Sequence, residues 1–261
     1  MIKLIVTDVD GTLIKESSSS INPDYCTEIR RLTDKGYVFV VASGRQYQSL
    51  ARLFEPVLDC IYIAAENGSH IRYMDKDLKV IPMNQDIARD IIRDIRQRKD
   101  TEFVVSYPCL QQMESQNQEF IDWFVEGYHS NLNIVKDVLD CDIPIIKVAA
   151  YKKAGMREEA DSFYLPKWGD KCLAVMGGVE WLDFMDFSAG KGTAIRFLQE
   201  YHNISKEETM VFGDNQNDIG MLMEASESYV VENAHPDVKA YAKNICKGYQ
   251  KDGVLSILRT L

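Results

Sequence analysis

Short apolar runs, punctuated by glycine, proline and polar clusters, divide this chain. Leu4-Ile5-Val6 stops abruptly at Thr7-Asp8-Val9-Asp10-Gly11-Thr12. A Val/Ile-rich run of that length predicts a strand buried on both faces of a parallel sheet. A polar loop holding Ser17 to Ser20 follows, and Asn22-Pro23 then opens a helix that ends near Lys35-Gly36, with Ile29 and Leu32 on one face. Proline suits the first turn of that helix and glycine its C-cap. Residues 37–42 make the next apolar strand, 46–54 a helix and 60–64 a third strand. Strand, helix, strand, helix implies βαβ units and a parallel sheet. Asn67-Gly68 predicts a hairpin turn. It leads to paired strands at 71–74 and 78–81 around Asp75-Lys76-Asp77, a solvated acidic turn.

From about Pro82 the pattern changes. Residues 86–98 form an amphipathic helix with Ile87, Ile91, Ile92 and Ile95 on one face. Strands at 101–107 and 110–113, a helix at 118–129, a strand at 143–151, a helix at 156–163 and strands at 171–176 and 181–185 complete a self-contained α/β unit. Its roughly 100 residues are enough for a domain. At Phe187 the βα alternation returns: a helix at 192–202, a strand at 208–212, a helix through Met221 and Met223, a strand at 228–231, a helix at 235–243, a short strand at 244–246 and a closing helix at 253–258. The expected architecture is α/β, a Rossmann-like parallel-sheet core at 1–82 and 187–261 with an inserted α/β cap domain at 83–186.

Composition narrows the function. Net charge is −10 over 261 residues, which argues against nucleic-acid binding and against an anionic membrane surface. No apolar run approaches the ~20 residues of a membrane span. Met1-Ile2-Lys3-Leu4 runs directly into the first strand without the regions of a secretory signal, so a cytoplasmic location is expected. The six cysteines lack Cys-x-x-Cys spacing and the four histidines lack ligand spacing, which suggests reduced thiols and no zinc site.

The candidate chemistry lies at strand ends. Asp8 and Asp10, Ser43 and Arg45, Lys191 just before a helix, and Asp214 and Asp218 would all meet outside the carboxyl edge of one sheet, where open α/β folds bind ligands. Carboxylates without histidine are hard oxygen donors suited to Mg²⁺. A lysine, a serine and helix N-termini suit phosphate. An aspartate can carry a phosphoryl group covalently. Each piece also has a structural explanation: Asp-Gly is a common turn pair, Ser43-Gly44 could cap a helix, Asp218 could cap or pair within its own helix, and Lys147, amid apolar residues, could snorkel from a strand edge.

Taken together, Asp8-Val9-Asp10-Gly11-Thr12, Ser43-Gly44-Arg45, Lys191 and Gly213-Asp214-x-x-Asn217-Asp218 resemble the motifs of haloacid dehalogenase-like phosphatases, of the Cof type with the large α/β cap (subclass IIB). Glu66-Asn67-Gly68 and Asn233-Ala234 agree, although Glu232 stands where that family often has glycine. The resemblance implies that Asp8 is the nucleophile and that Asp10 protonates the leaving alcohol and then activates water. It implies Mg²⁺ held by the Asp8 carboxylate, the Asp10 carbonyl and Asp214, with Asp218 nearby or acting through water. Ser43 and Lys191 would bind the phosphoryl group, with Thr12, Gly44, Arg45, Asn67 and Asn217 helping to hold phosphate or substrate.

Spacing locates the insertion. Only 35 positions separate Asp8 from Ser43, but 148 separate Ser43 from Lys191, far more than a βα repeat needs. The expected activity is Mg²⁺-dependent hydrolysis of small phosphorylated metabolites, chiefly sugar phosphates, by a monomer or weak homodimer. A phosphomutase or phosphotransferase of the same superfamily shares every catalytic residue. A non-catalytic phosphometabolite-binding regulator would not need the nucleophile.

Overall fold

The computed structural model describes residues 1–261. The first segment contains β1 (Leu4–Thr7), α1 (Pro23–Asp34), β2 (Val38–Ala42), α2 (Tyr47–Leu53), β3 (Ile61–Ala65), β4 (His70–Tyr73) and β5 (Lys76–Val80). The inserted segment contains α3 (Gln85–Ile95), β6 (Glu102–Ser106), β7 (Gln111–Met113), α4 (Gln118–Tyr128), β8 (Leu132–Ile134) and β9 (Lys147–Tyr151). It continues with α5 (Arg157–Glu159), a π turn (Ala160–Tyr164), α6 (Leu165–Trp168), β10 (Leu173–Met176) and β11 (Trp181–Met185). The return segment contains α7 (Lys191–His202), β12 (Thr209–Gly213), α8 (Ile219–Met223), β13 (Glu227–Val231), β14 (Asn244–Cys246) and α9 (Gly253–Leu258).

Two sheets result. The first has the order β14-β13-β12-β1-β2-β3-β4-β5. It is parallel from β14 to β3, and β4 and β5 turn back antiparallel at one edge. Leu4, Ile5 and Val6 of β1 are fully buried, as a central strand covered by helices on both faces requires. The chain leaves β1 towards β2 on one side and comes back to it through β12 on the other, so β1 is the topological switch point where such sheets open a crevice. The second sheet, β10-β11-β9-β6-β7-β8, is mostly antiparallel and belongs wholly to the insertion. Each sheet has its own main apolar core, one built on Ile5, Val40 and Val211, the other on Ile91, Val105 and Phe184. The α/β class, the parallel sheet and the inserted cap agree with expectation.

Two local expectations change, and one strand is additional to them. The helix expected over 156–163 runs on to Trp168, widening through a π turn before Pro166; proline cannot donate to the carbonyl four residues back. The segment 235–243 is a 3₁₀ helix at Pro236–Tyr241 instead of an α-helix. The strand β8 had no apolar run to announce it, since Ile134 and Asn133 face solvent and only Leu132 is half-buried. No helix is long and apolar enough to cross a membrane.

Candidate active site

The backbone carries the first aspartate straight out of the sheet. The Asp8 N–H donates to the Phe212 carbonyl at 2.9 Å, one ladder step beyond β1, and the chain then reverses as the Leu13 N–H bonds the Val9 carbonyl at 2.8 Å. Gly11 makes this reversal possible. Its φ is +79°, and a Cβ there would lie 2.2 Å from Asp214 Oδ2. The Asn233 side chain holds the loop by donating to the Gly11 carbonyl at 2.7 Å. Thr12, fully buried, donates its hydroxyl to Asp214 Oδ1 at 3.0 Å and so orients that carboxylate.

Lys191 is the first residue of α7. A cation is disfavoured at that positive helix end, and its ammonium turns into a carboxylate cluster, 2.5 Å from Asp8 Oδ1 and 2.6 Å from Asp218 Oδ1. Burial alone would favour the neutral amine, but Asp218 and Asp8 push its proton affinity above the usual lysine range. Asp218 is fully buried, and its second oxygen accepts the N–H groups of Asp214 and Asn215 at 2.8 and 2.9 Å. Asp218 therefore caps the turn after β12 and orients Lys191.

Oxygens of Asp8, Asp214 and Asp218 all lie within 4.8 Å of one another. Two of these carboxylates share a single ammonium, and Asp214 has no cation of its own. Burial pushes Asp8 up to about 7 against the pull of Lys191, with Asp218 adding to the rise. Burial and then Asp8 raise Asp214 well above the carboxylate range. Excess negative charge in a set of hard oxygens, with no nitrogen or sulfur donor, fits a Mg²⁺ ion. The Asp10 side chain stands outside this cluster. Arg45 grips it through two hydrogen bonds, Nε to Oδ2 and Nη2 to Oδ1, both 2.6 Å, and the Ser17 N–H adds a third at 3.1 Å.

The insertion closes the other side. Lys147 is buried, and its ammonium lies 2.5 Å from Glu66 Oε2, donates to the Gly44 carbonyl at 2.6 Å and stands 3.8 Å from Asp183. It crosses from one sheet to the other instead of snorkelling. Asn67 sits between the units, donating to Asp183 Oδ2 at 2.5 Å and accepting from Asn217 at 3.0 Å. It occupies a turn in which Glu66, Asn67 and Gly68 have φ values of 51, 53 and 89°. Left-handed backbone at two consecutive non-glycine residues is strained. The N–H groups of Glu66 and Asn67 anchor it on the carbonyls of Arg45 and Ser43, both at 2.9 Å. Tyr128, at the end of α4, receives a hydrogen bond from Ser17 at 3.2 Å and stacks under Arg45, 5.1 Å from guanidinium carbon to ring centre.

The cavity between the units is lined by Asp8, Asp10, Ser43, Gly44, Arg45, Asp214 and Asn217 on one side. Gln111, Phe124, Tyr128, Lys147, Trp181 and Asp183 line the other. Of the residues singled out from the sequence, Thr12, Asn67, Lys191 and Asp218 brace the site from behind without lining the cavity. Gln111, Trp181 and Asp183 carried no motif. The only local signal for them is their place on the short strands β7 and β11, where alternate side chains share a face.

Comparison with known proteins agrees with this geometry. The model of the haloacid dehalogenase-like hydrolase family matches residues 5–258. A curated Escherichia coli relative, 5-amino-6-(5-phospho-D-ribitylamino)uracil phosphatase YbjI, is 26% identical over 98% of this chain and 95% of its own length. A Eubacterium rectale protein of known crystal structure is 34% identical, with a TM-score of 0.85 over 99% of this chain and 98% of that one. The subclass IIB sugar phosphatase BT4131 shares the fold at 21% identity, with a TM-score of 0.85 over 99% of this chain and 98% of that one. Motifs, switch-point placement and family match converge, and the chain belongs to the haloacid dehalogenase-like hydrolases, as one of their phosphatases.

Proposed function

We propose that this protein is a Mg²⁺-dependent phosphomonoesterase that hydrolyses small phosphorylated metabolites, sugar phosphates foremost, through an aspartyl-phosphate on Asp8. The observation that carries the proposal is the Lys191 ammonium held between Asp8 at 2.5 Å and Asp218 at 2.6 Å at the switch point of the sheet. The sugar-phosphate preference is supported by the fold shared with BT4131 and by a relative named for a phosphorylated ribityl compound. Residues 1–82 and 187–261 form the catalytic core in this reading, and residues 83–186 form the cap that chooses the substrate.

Asp8 attacks phosphorus, and the bond from phosphorus to the leaving oxygen breaks. Asp10 supplies the proton that the departing alkoxide takes up. Asp10 then removes a proton from water, the water oxygen bonds to phosphorus, and the acyl-phosphate P–O bond opens to return Asp8 and release inorganic phosphate. Lys191, Ser43, Asn217 and the Gly44 backbone hold the phosphoryl oxygens, while Arg45 keeps Asp10 aimed at the leaving oxygen. The Asp8 and Asp214 carboxylates with the Asp10 carbonyl would hold Mg²⁺, and Asp218 supports that set through Lys191. The ion would neutralise phosphoryl charge that would otherwise repel a carboxylate nucleophile. Closure of the cap excludes bulk water, which strengthens each of these interactions.

The test is release of inorganic phosphate from a panel of phosphorylated metabolites and p-nitrophenyl phosphate, with Mg²⁺ and with EDTA. Mg²⁺-dependent release is the expected result. Absence of release from every ester would refute the reading.

A further inference from the structure

The cavity wall, built by both units, has unfinished polar chemistry. Gln46 Nε2, Gln111 Oε1, Ser130 Oγ, Trp181 Nε1 and Asn217 Oδ1 are buried with no hydrogen-bond partner, and all five residues line the cavity. Gln46, Gln111 and Trp181 are 2%, 5% and 8% exposed. Buried polar atoms in folded proteins are nearly always paired, so several orphans converging on one cavity are groups that await a ligand. Two of them are held in a set orientation. Gln46 accepts the Asn131 N–H at 2.8 Å through its oxygen, leaving its amide N–H₂ free. Gln111 donates from its nitrogen to Ser106 at 2.9 Å and to Glu66 at 3.2 Å, leaving its oxygen free.

The free atoms are thus two donors, two acceptors and one hydroxyl. A group that both donates and accepts, such as a hydroxyl, satisfies such a mixture, and an amine can serve the acceptor. A carboxylate or a fully ionised second phosphate can only accept.

Charge points the same way. Of the two cations lining the cavity, Lys147 is already taken by Glu66 and Asp183. The guanidinium of Arg45 is taken by Asp10. A second anion entering here would meet carboxylates without a free counter-charge, and desolvating it unpaired is unfavourable. Phe124, Tyr128 and Trp181 supply the apolar part of the wall.

We propose that this wall selects the leaving group, accepting phosphomonoesters whose alcohol carries hydroxyl or amino groups and no second anion, with Gln46, Gln111 and Trp181 as specificity-determining residues. The proposal rests on the phosphomonoesterase reading above, and the experiment separates the two. Matched esters that differ only in CH₂OH against COO⁻ are compared: glycerol 3-phosphate with 3-phosphoglycerate, and sorbitol 6-phosphate with 6-phosphogluconate. The readout is kcat/KM or, for slowly hydrolysed esters, the constant for competitive inhibition of p-nitrophenyl phosphate hydrolysis, with Mg²⁺ in excess. The neutral member of each pair should be favoured at least ~10-fold, equivalent to about 1.4 kcal/mol. Gln111→Lys, which places a cation on the wall, should shrink that ratio. Trp181→Phe, which keeps the ring and removes the indole N–H, should lower kcat/KM for the sorbitol ester more than for p-nitrophenyl phosphate.

Equal treatment of neutral and anionic members, with p-nitrophenyl phosphate hydrolysed normally, overturns the proposal and leaves the phosphatase reading standing. No hydrolysis of p-nitrophenyl phosphate with Mg²⁺ overturns that reading and this proposal with it. If Gln111→Lys does not fold, the wild-type ratios and Trp181→Phe still decide the matter.

Discussion

Lys147 of the inserted sheet meets Glu66, in the core turn after β3, at 2.5 Å, with both side chains buried. The pair spans the two units beside the cavity, and the ammonium also bonds the carbonyl of Gly44 in the loop after β2. Burial alone would favour a neutral lysine, but Asp183 and Glu66 raise its proton affinity and keep it charged.

Lys147→Met should therefore be severely destabilising. It leaves two buried carboxylates without their cation, and breaking such a pair costs about 3–5 kcal/mol. Adding Glu66→Gln should restore part of the loss, because one stranded charge disappears. Denaturant midpoints of the two single variants and the double variant give the coupling energy. Purely additive losses would show that the pair does not couple the units.

Asp8→Asn should lower kcat to background, by at least ~10³-fold, while the fold and phosphate affinity persist. The amide keeps the shape of the carboxylate and removes the nucleophile. Phosphate release, circular dichroism and competition by inorganic phosphate check the three parts. Undiminished turnover would remove Asp8 from the mechanism.

Gly11→Ala should loosen the metal site before it unfolds the protein. The new Cβ would sit 2.2 Å from Asp214 Oδ2 on a backbone with φ of +79°, so Asp214 must move. Titration of activity against Mg²⁺ should show half-saturation shifted upward at least ~10-fold, about 1.4 kcal/mol of lost binding. An unchanged Mg²⁺ requirement would mean that Asp214 is not a ligand.

The metal-free protein should respond to pH through Asp8. Its carboxyl rises from 3.8 to about 7 on folding, chiefly through burial. The folded state thus holds this proton more tightly than the unfolded state. Stability from this group is present at acid pH and is lost as pH rises through about 7. Mg²⁺ competes with that proton, so stabilisation by the ion should grow over the same interval. Melting temperatures with EDTA and with Mg²⁺, at about pH 6 and about pH 8, check both signs.

Much of this molecule is legible locally. The apolar runs at Leu4–Thr7, Val38–Ala42 and Thr209–Gly213 become the adjacent strands β12, β1 and β2. Strands that stop at polar residues announce where the crevice opens, because buried parallel strands must be apolar and their carboxyl ends need not be. Those two facts place Asp8, Ser43 and Asp214 along one edge without coordinates. Less was visible where pairing is distant. Arg45 grips Asp10, 35 positions away, a pairing that no local pattern announces. Lys147 bonds a carbonyl 103 positions away, and Asn67 an aspartate 116 positions away.

The sequence by itself determined the class of fold and the chemical groups at the strand ends, since both follow from hydrophobic period and local turn chemistry. Only the tertiary structure decided which carboxylate receives which cation. It also decided which polar atoms remain unpaired, as at Trp181 Nε1 and Gln111 Oε1. Such assignments depend on how one sheet seats against another. Packing sums many weak contacts between residues far apart in the chain, and no short stretch of sequence carries that sum.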